Sequence, residues 1–342
     1  MDNDELYDID SAWSSYMGGN LESTFNNIDI NDNNNERNSI VAPKGSDIYI
    51  STKTKIGYLS QPIDLTSVFW DIDIIPYHLQ KEGVIKKQMK FNFADQSSVD
   101  IVEKKLIGIK NIDQHIIQQI VNPEGRIKFK DIRKISIGIS NKDITSYRTK
   151  KKSAFYNCFV IIMRIKMDNE FKEVHVKVFN TGKLEIPGIR CDKLLKKVTV
   201  LLVDIIKPLN NSESLYYDET KCETVLINSN FNCGFYINRD KLLNILKFKY
   251  NIDCMFDACQ YPGIQCKYDY NLPNKKIYRV SFMIFRTGSV LIVGKCDEEA
   301  LQYIYQYIKQ ILIDEYNEIN VKNFEPEKVI NKKKIKKKTI LI

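Results

Sequence analysis

The segment Phe179-Asn-Thr-Gly-Lys-Leu-Glu-Ile-Pro-Gly188 returns later in the chain as Phe285-Arg-Thr-Gly-Ser-Val-Leu-Ile-Val-Gly294, with Phe, Thr, Gly, Ile and Gly at the same offsets. An acidic, helix-spaced stretch follows each copy at once, Cys191-Asp-Lys-Leu-Leu195 and Cys296-Asp-Glu-Glu-Ala-Leu301. Both copies read as strand, tight Thr-Gly turn, strand, then helix. One structural unit used twice implies approximate internal two-fold symmetry, and this narrows the possible folds more than any other feature.

The pattern extends on both sides of the repeated segment. Ile48–Ile56 alternates as a strand, and Asp64-Leu-Thr-Ser-Val-Phe-Trp70 then has an N-cap and helical spacing. Thr224–Phe231 and Asn238–Leu246 are the counterparts in the second half. Further strands are predicted at Phe159–Ile165, Val174–Phe179 and Tyr278–Phe285, with closing helices near 191–206 and 297–316. The order β-α-β-β-β-β-α, used twice, predicts an α+β fold with an antiparallel sheet and helices on one face.

The halves are unequal. About 80 residues separate the first helix from Phe159, too many for a plain loop. An inserted segment at about 84–150 is expected to fold on the first half, with helices at Val99–Leu106 and Asp113–Ile120, a strand at Gly125–Lys130 and a basic end at Tyr147–Lys152. The expected organisation is an acidic arm at 1–46, a first repeat at 47–208 containing the insertion, a second repeat at 209–318 and a Lys-rich tail at 319–342. The seven lysines between Lys328 and Lys338 suit a phosphate-attracting arm, a nuclear-import signal or a solvated terminus.

Charge separates the arm from the body. Residues 1–44 hold nine acids against Arg37 and Lys44, a net −7, which leaves +15 on the remainder of a chain whose total is +8. Such a body attracts polyanions, nucleic acid or an anionic membrane surface. No segment approaches the ~18 apolar residues of a membrane span, and the acidic start lacks a basic n-region. Eight cysteines in 342 residues are too sparse for a disulfide scaffold, so a reduced intracellular setting is expected.

The duplicated segment resembles that of the TATA-box-binding protein family, whose repeats each carry Phe-x-Ser/Thr-Gly-Lys-x-Val-x-Thr-Gly before the last helix. Met163-Arg-Ile165 is similar to the strand preceding it, Tyr261-Pro-Gly263 to the second-repeat stirrup, and Phe235–Leu242 to the start of the second repeat's first helix. The likeness covers about 47–83 and 153–316. With its arms and insertion the chain looks like a divergent large-DNA-virus member. The resemblance implies a saddle, a continuous curved antiparallel sheet with helices on its convex face and DNA against its concave face. It further implies a non-enzymatic general transcription factor that bends A·T-rich promoter DNA through the minor groove. Factor-IIB-like and RNA polymerase partners, action as a monomer on DNA, and a place in the nucleus, a cytoplasmic viral factory or the virion go with it.

The family's wedge phenylalanines fall on Phe179, Tyr261 and Phe285. The fourth falls on Cys158, with Phe159 one residue away, and a one-residue bulge would restore the phenylalanine. Concave-floor positions are Met283, Leu291 and Val293 in the second repeat and Lys177, Glu185 and Pro187 in the first. Phosphate-contacting positions fall on Arg164, Lys183, Arg190, Lys267 and Lys295; of the acids used for the factor-IIB kind of partner, only Asp257 matches. The second repeat therefore reads as a competent half and the first as altered. Glu185 in particular would repel phosphates unless Lys177 neutralises it.

Other chemistries find less support. Cys254, Cys259 and Cys266 lack the short paired spacing of a zinc knuckle, and no metal or cofactor is expected. His78, His115 and His175 are scattered, with no nucleophile elbow or phosphate loop, so no enzyme is expected. A protein-interaction module that has abandoned specific DNA binding is the alternative, motivated by Lys177, Glu185 and Pro187. A saddle domain accessory to a nucleic-acid-processing enzyme is the third reading.

Overall fold

Two glycines with left-handed backbone set the pattern of both halves. Gly182 (φ 81°) and Gly288 (φ 79°) each close the Thr-Gly turn. Each amide donates to the carbonyl of the repeated phenylalanine, Phe179 or Phe285, at 3.0 Å. Each carbonyl accepts from the strand alongside, Gly182 from Leu59 at 2.8 Å and Gly288 from Cys233 at 2.9 Å. A residue with a Cβ is strained in this conformation, which accounts for glycine at this offset twice.

The computed structural model describes residues 41–145, 156–210, 212–271 and 277–321. The acidic arm up to residue 40, the basic run Tyr147–Lys152 and the lysines from Lys328 to Lys338 lie outside them. The described residues divide into two compact units, one of residues 52–225 and one joining residues 41–51 with those from Leu226 to Val321. The strands Tyr49–Leu59 and Tyr217–Asn232 each begin in one unit and continue in the other, with most of their core residues in the first and in the second unit respectively.

The first unit contains β1 (Tyr49–Leu59), α1 (Leu65–Asp71), β2 (Gly83–Phe93), α2 (Gln96–Leu106), β3 (Ile112–Val121), β4 (Phe129–Gly138), α3 (Asn141–Thr145), β5 (Cys158–Met167), β6 (Glu170–Phe179), β7 (Lys183–Ile189) and α4 (Asp192–Leu209). Its antiparallel sheet runs β3-β4-β2-β5-β6-β7-β1. Asp64 caps α1 as expected, accepting from the amides of Thr66 and Ser67. One face of the sheet holds Phe159, Ile161, Met163, Ile165, Val174, Val176, Val178, Leu184 and Ile186, packed with Val198, Leu202 and Ile206 of α4. Each such side chain contributes about 1.5–3 kcal/mol by leaving water.

The second unit contains β8 (Tyr217–Asn232), α5 (Arg239–Phe248), β9 (Asp253–Met255), β10 (Gly263–Asn271), β11 (Ile277–Phe285), β12 (Ser289–Gly294), α6 (Glu298–Asp314) and α7 (Tyr316–Ile319). Its antiparallel sheet runs β8-β12-β11-β10-β9. Val280, Phe282, Ile284, Val290 and Ile292 face Leu301, Ile304, Ile308, Ile311 and Leu312 of α6. Asp297 caps α6 through the Ala300 amide at 2.8 Å. We expect Asp297→Ala to cost about 1 kcal/mol, read as the change in chemical-denaturation midpoint. The chain is therefore α+β, each unit following strand, helix, four strands, helix. Among the described residues no helix is long and apolar enough to cross a membrane.

The extra material of the first unit differs from expectation. Val84 onward is not inserted sequence at first: β2 pairs with β5, Val84 opposite Met163 and Met89 opposite Phe159, in the place that β9 takes in the second unit. The addition proper is α2, β3, β4 and α3, which extend the sheet outward. Asp113–Ile120, expected as a helix, is strand β3. A bulge between Ile116 and Gln118 shifts its alternation by one residue. The apolar positions Ile112, Ile116, Ile117, Ile120 and Val121 then fall at offsets that imitate a helix face. Gly125 lies in the β3–β4 turn rather than in a strand, its amide bonded to Asn122 at 3.1 Å.

Candidate nucleic-acid interface

In the second unit the face opposite the helices is set by register. Phe282 and Ile284 point into the core, so Met283 and Phe285 point the other way, as do Leu291, opposite Met283, and Val293. Phe285 and Tyr261 lie together, ring centroids 5.9 Å apart and inclined at 58°. Both are half-buried. Gly263 gives the pair room: it sits opposite Phe285, and a Cβ there would crowd the Phe285 ring at 3.1 Å and the Tyr261 ring at 3.2 Å. The Tyr261 hydroxyl donates to the Met283 sulfur at 3.6 Å.

The loop carrying Tyr261 is fixed at several points. Asp257 accepts the Tyr261 amide on its carbonyl at 2.9 Å and the Cys259 amide on its carboxylate at 2.9 Å. Arg239 of α5 donates to the Pro262 carbonyl and lies 4.5 Å over the Phe256 ring. Met283 of β11 and Leu291 of β12 are each 7% exposed, and Val293 of β12 is 2% exposed. Asn230 pairs with Leu291 and Asn228 with Val293, which puts two half-buried amide side chains on the same face. The alternation Asn228-Ser-Asn230-Phe231 could have singled them out from sequence. Lys267 and Lys295 are exposed.

The first unit keeps less of this arrangement. Phe159 is fully buried, 6.5 Å from Phe69 in the core, and no bulge turns it outward. It is a core residue, not a wedge. Cys158 takes the position opposite Phe179 instead, and burial pushes its thiol up to about 11. Phe179 is half-buried, with the Lys183 ammonium 5.7 Å from its ring. Lys177 and Glu185 sit opposite each other and form an ion pair at 2.7 Å, so the carboxylate is neutralised within the sheet. Pro187 is half-buried beside them and Arg190 is exposed.

Arg164 does not offer its charge to a ligand. It is 6% exposed, donates to the Leu79 carbonyl at 2.7 Å and stacks 4.6 Å from the Tyr77 ring. A neighbouring stretch of this face is closed by an element absent from the sequence reading. Lys86, Ile162 and His175 form one row across β2, β5 and β6. Asp143 of α3 binds Lys86 at 2.8 Å and Ser140, and the Asn141 amide donates to Glu173 at 3.0 Å. Burial pushes the His175 imidazole down to about 4, with Lys142, Lys86 and Lys177 adding to the shift and Asp143 opposing it.

That shift has a sign. Between pH about 6.5 and about 4 the unfolded chain takes up a proton that folded His175 refuses, so stability falls as pH drops through the window, by at most about 3 kcal/mol. We expect His175→Gln to flatten this dependence. Melting curves at several pH values check it, and equal acid slopes in both proteins would contradict it.

Cys254 and Cys266 are cross-strand neighbours on β9 and β10, and Cys259 is exposed in the adjoining loop. Among the described residues no three His, Cys, Asp or Glu side chains gather in a way that could hold a metal ion.

No family model matches the chain. A protein of Acanthamoeba polyphaga mimivirus described as "TATA-box-binding protein-like" is 28% identical over 207 residues, 53% of this chain and 55% of that protein. The chain thus spans about half the length of this curated relative. Among solved structures, "Methanococcus jannaschii TBP" aligns over 79% of this chain and 99% of its own at 14% identity and a TM-score of 0.38. The chain is similar to a viral protein described as TATA-box-binding protein-like, and each of its two units follows the same basic order of strands and helices.

Proposed function

We propose that the protein binds and bends A·T-rich duplex DNA through the minor groove, with the second unit as the principal contact. The observation that carries this reading is the Tyr261–Phe285 pair, held over Met283 by a glycine that leaves room for both rings. Paired, partly exposed aromatic rings at the end of an apolar strand row are suited to entering a base step. Unstacking costs a few kcal/mol per step and is offset by the larger contact with bent DNA. Asn228 and Asn230 supply amide donors for the acceptors on the groove floor, where A·T and T·A look alike. Lys267 and Lys295, with Lys183 and Arg190, attract phosphates. Met283, Leu291 and Val293 are nearly closed to solvent, so their contact with a duplex requires this face to open.

On this reading the bent DNA then recruits factor-IIB-like and RNA polymerase partners. The Asp257 carboxylate, already engaged by the Cys259 amide, is a modest contribution to such a contact. A mobility shift with purified partner, DNA and Asp257→Ala tests it; an unaltered ternary complex would remove Asp257 from the role.

The deciding experiment is fluorescence anisotropy of an A·T-rich duplex with a chain truncated after Val321, which keeps the buried Ile319 and the Asn320–Ile237 bridge but removes the lysine run. We expect Tyr261→Ala with Phe285→Ala to weaken binding by at least about tenfold while leaving the salt slope unchanged. Undiminished affinity would refute the wedge.

A second reading, a protein-interaction module, is favoured by the first unit. Lys177 and Glu185 neutralise each other, Phe159 is in the core and Arg164 is closed off. Glu185→Gln separates the two. If this face meets phosphates, removing the Glu185 charge strengthens binding several-fold at low salt, with a steeper salt slope. If it does not, affinity stays the same.

A further inference from the structure

The outer edge of the first unit's sheet lacks the side chains that keep edges apart. β3 ends the strand order, so no described strand covers its outward amides and carbonyls. It is ten residues long and contains neither lysine nor proline; Asp113 is its only acid. Ile116, Ile117 and Val121 are 48%, 37% and 66% exposed. Long apolar edges of this kind are templates for pairing with another strand.

Register identifies the occupant. Against β4, residues Ile112 to Ile116 pair in one phase and Gln118 to Val121 in the next, Ile117 being the extra residue of the bulge. Ile112, Gln114 and Ile116 before the bulge, and Gln119 and Val121 after it, share the face of the core residues Ile135 and Ile137. Asp113, His115, Gln118 and Ile120 share the other. A strand pairs antiparallel with its own copy only when residues brought opposite lie on the same face. In an unbroken strand that places the two-fold axis on a residue. The bulge in β3 places it between Ile116 and Ile117 instead, so that the strand pairs along its whole length.

The pairs so formed match in kind. Ile112 meets Val121, Gln114 meets Gln119 and Ile116 meets Ile117 on one face; Asp113 meets Ile120 and His115 meets Gln118 on the other. No like charges are opposed. The two glutamines are already set symmetrically, Gln114 accepting from Arg133 and Gln119 donating to Asp131, each at 3.2 Å. A bulge that elsewhere blunts an edge here sets the register of a self-complementary one.

We propose that β3 is a self-association edge, joining two copies of the chain antiparallel about an axis between Ile116 and Ile117. The inference is independent of DNA binding and goes beyond it. One strand pair makes a small interface, so the dimer is weak and reversible, with dissociation at about micromolar concentration.

Sedimentation velocity of the full chain from ~1 to ~100 µM tests it. The wild type should shift from monomer to dimer across this range. Ile117→Lys, which sets two ammonium groups beside the axis, should stay monomeric throughout with an unchanged thermal transition. Under oxidised glutathione, the Ile116→Cys/Ile117→Cys variant should give a cross-linked dimer above the native-cysteine background, and Asp113→Cys should not. A wild type that is monomeric at every concentration overturns the proposal, and so does a dimer that Ile117→Lys leaves intact.

Discussion

Asp131→Ala should destabilise the first unit by about 3 kcal/mol or more, the largest loss we expect from any single substitution away from the candidate interface. Asp131 is fully buried and Arg133 is 4% exposed. Their contact is bidentate, Nε to Oδ1 and Nη2 to Oδ2, both at 2.7 Å. Arg133 also donates to Glu103 of α2 at 2.9 Å, so this one guanidinium ties the added helix to the added strands. Removing the carboxylate leaves a desolvated charge whose remaining charged partner, Glu103, is half exposed. The loss belongs to the orphaned cation rather than to the pair as such. Asp131→Ala with Arg133→Met should therefore recover much of the stability. Trp70 fluorescence during urea unfolding, in a Trp13→Phe background, follows the first unit. Equal losses in the single and double variants would contradict this account.

Gly288→Ala should cost about 3 kcal/mol and Gly188→Ala only about 1. Both glycines have left-handed backbone, φ 79° and 82°, so the intrinsic penalty is similar. They differ in surroundings. A Cβ at Gly288 would run into the Phe235 carbonyl and approach the Cys233 sulfur at 2.9 Å, whereas at Gly188 nothing lies within 4 Å. The excess measures how tightly the Thr-Gly turn is built into its neighbours. Because Phe285 precedes this turn, Gly288→Ala should weaken DNA binding as well, and Gly188→Ala should not. Midpoints of chemical denaturation check the first statement; similar losses at both sites would mean that backbone strain alone decides.

The residues whose chemistry is local were legible in the sequence. Asp64 caps its helix as expected, because a short acceptor before an apolar period has little else to do there, and the structure adds Asn238 and Asp297 in the same role; the Thr-Gly offset fixed both turns. The Tyr261–Phe285 pair was also within reach, because Pro262-Gly263 and the repeated phenylalanine point to one corner. Failures came where one residue of phase decides the outcome. The β3 bulge made a strand look like a helix, and Phe159 turned inward because no bulge intervened. Arg164 and the contacts of Asp143 and Glu173 were beyond sequence reasoning for another reason. They depend on the 76–81 and 139–145 segments folding back on the sheet, which neither periodicity nor charge announces.

Entry of Tyr261 and Phe285 into a base step leaves a direct optical signature. The most direct measurement is the fluorescence of 2-aminopurine placed in turn at each step of an A·T-rich duplex, titrated with the chain truncated after Val321. We expect a rise confined to one step, the mark of unstacking, that disappears when Tyr261 and Phe285 are both alanine. Saturating binding with no rise at any step, or a rise that the double substitution leaves intact, would contradict entry of the two rings.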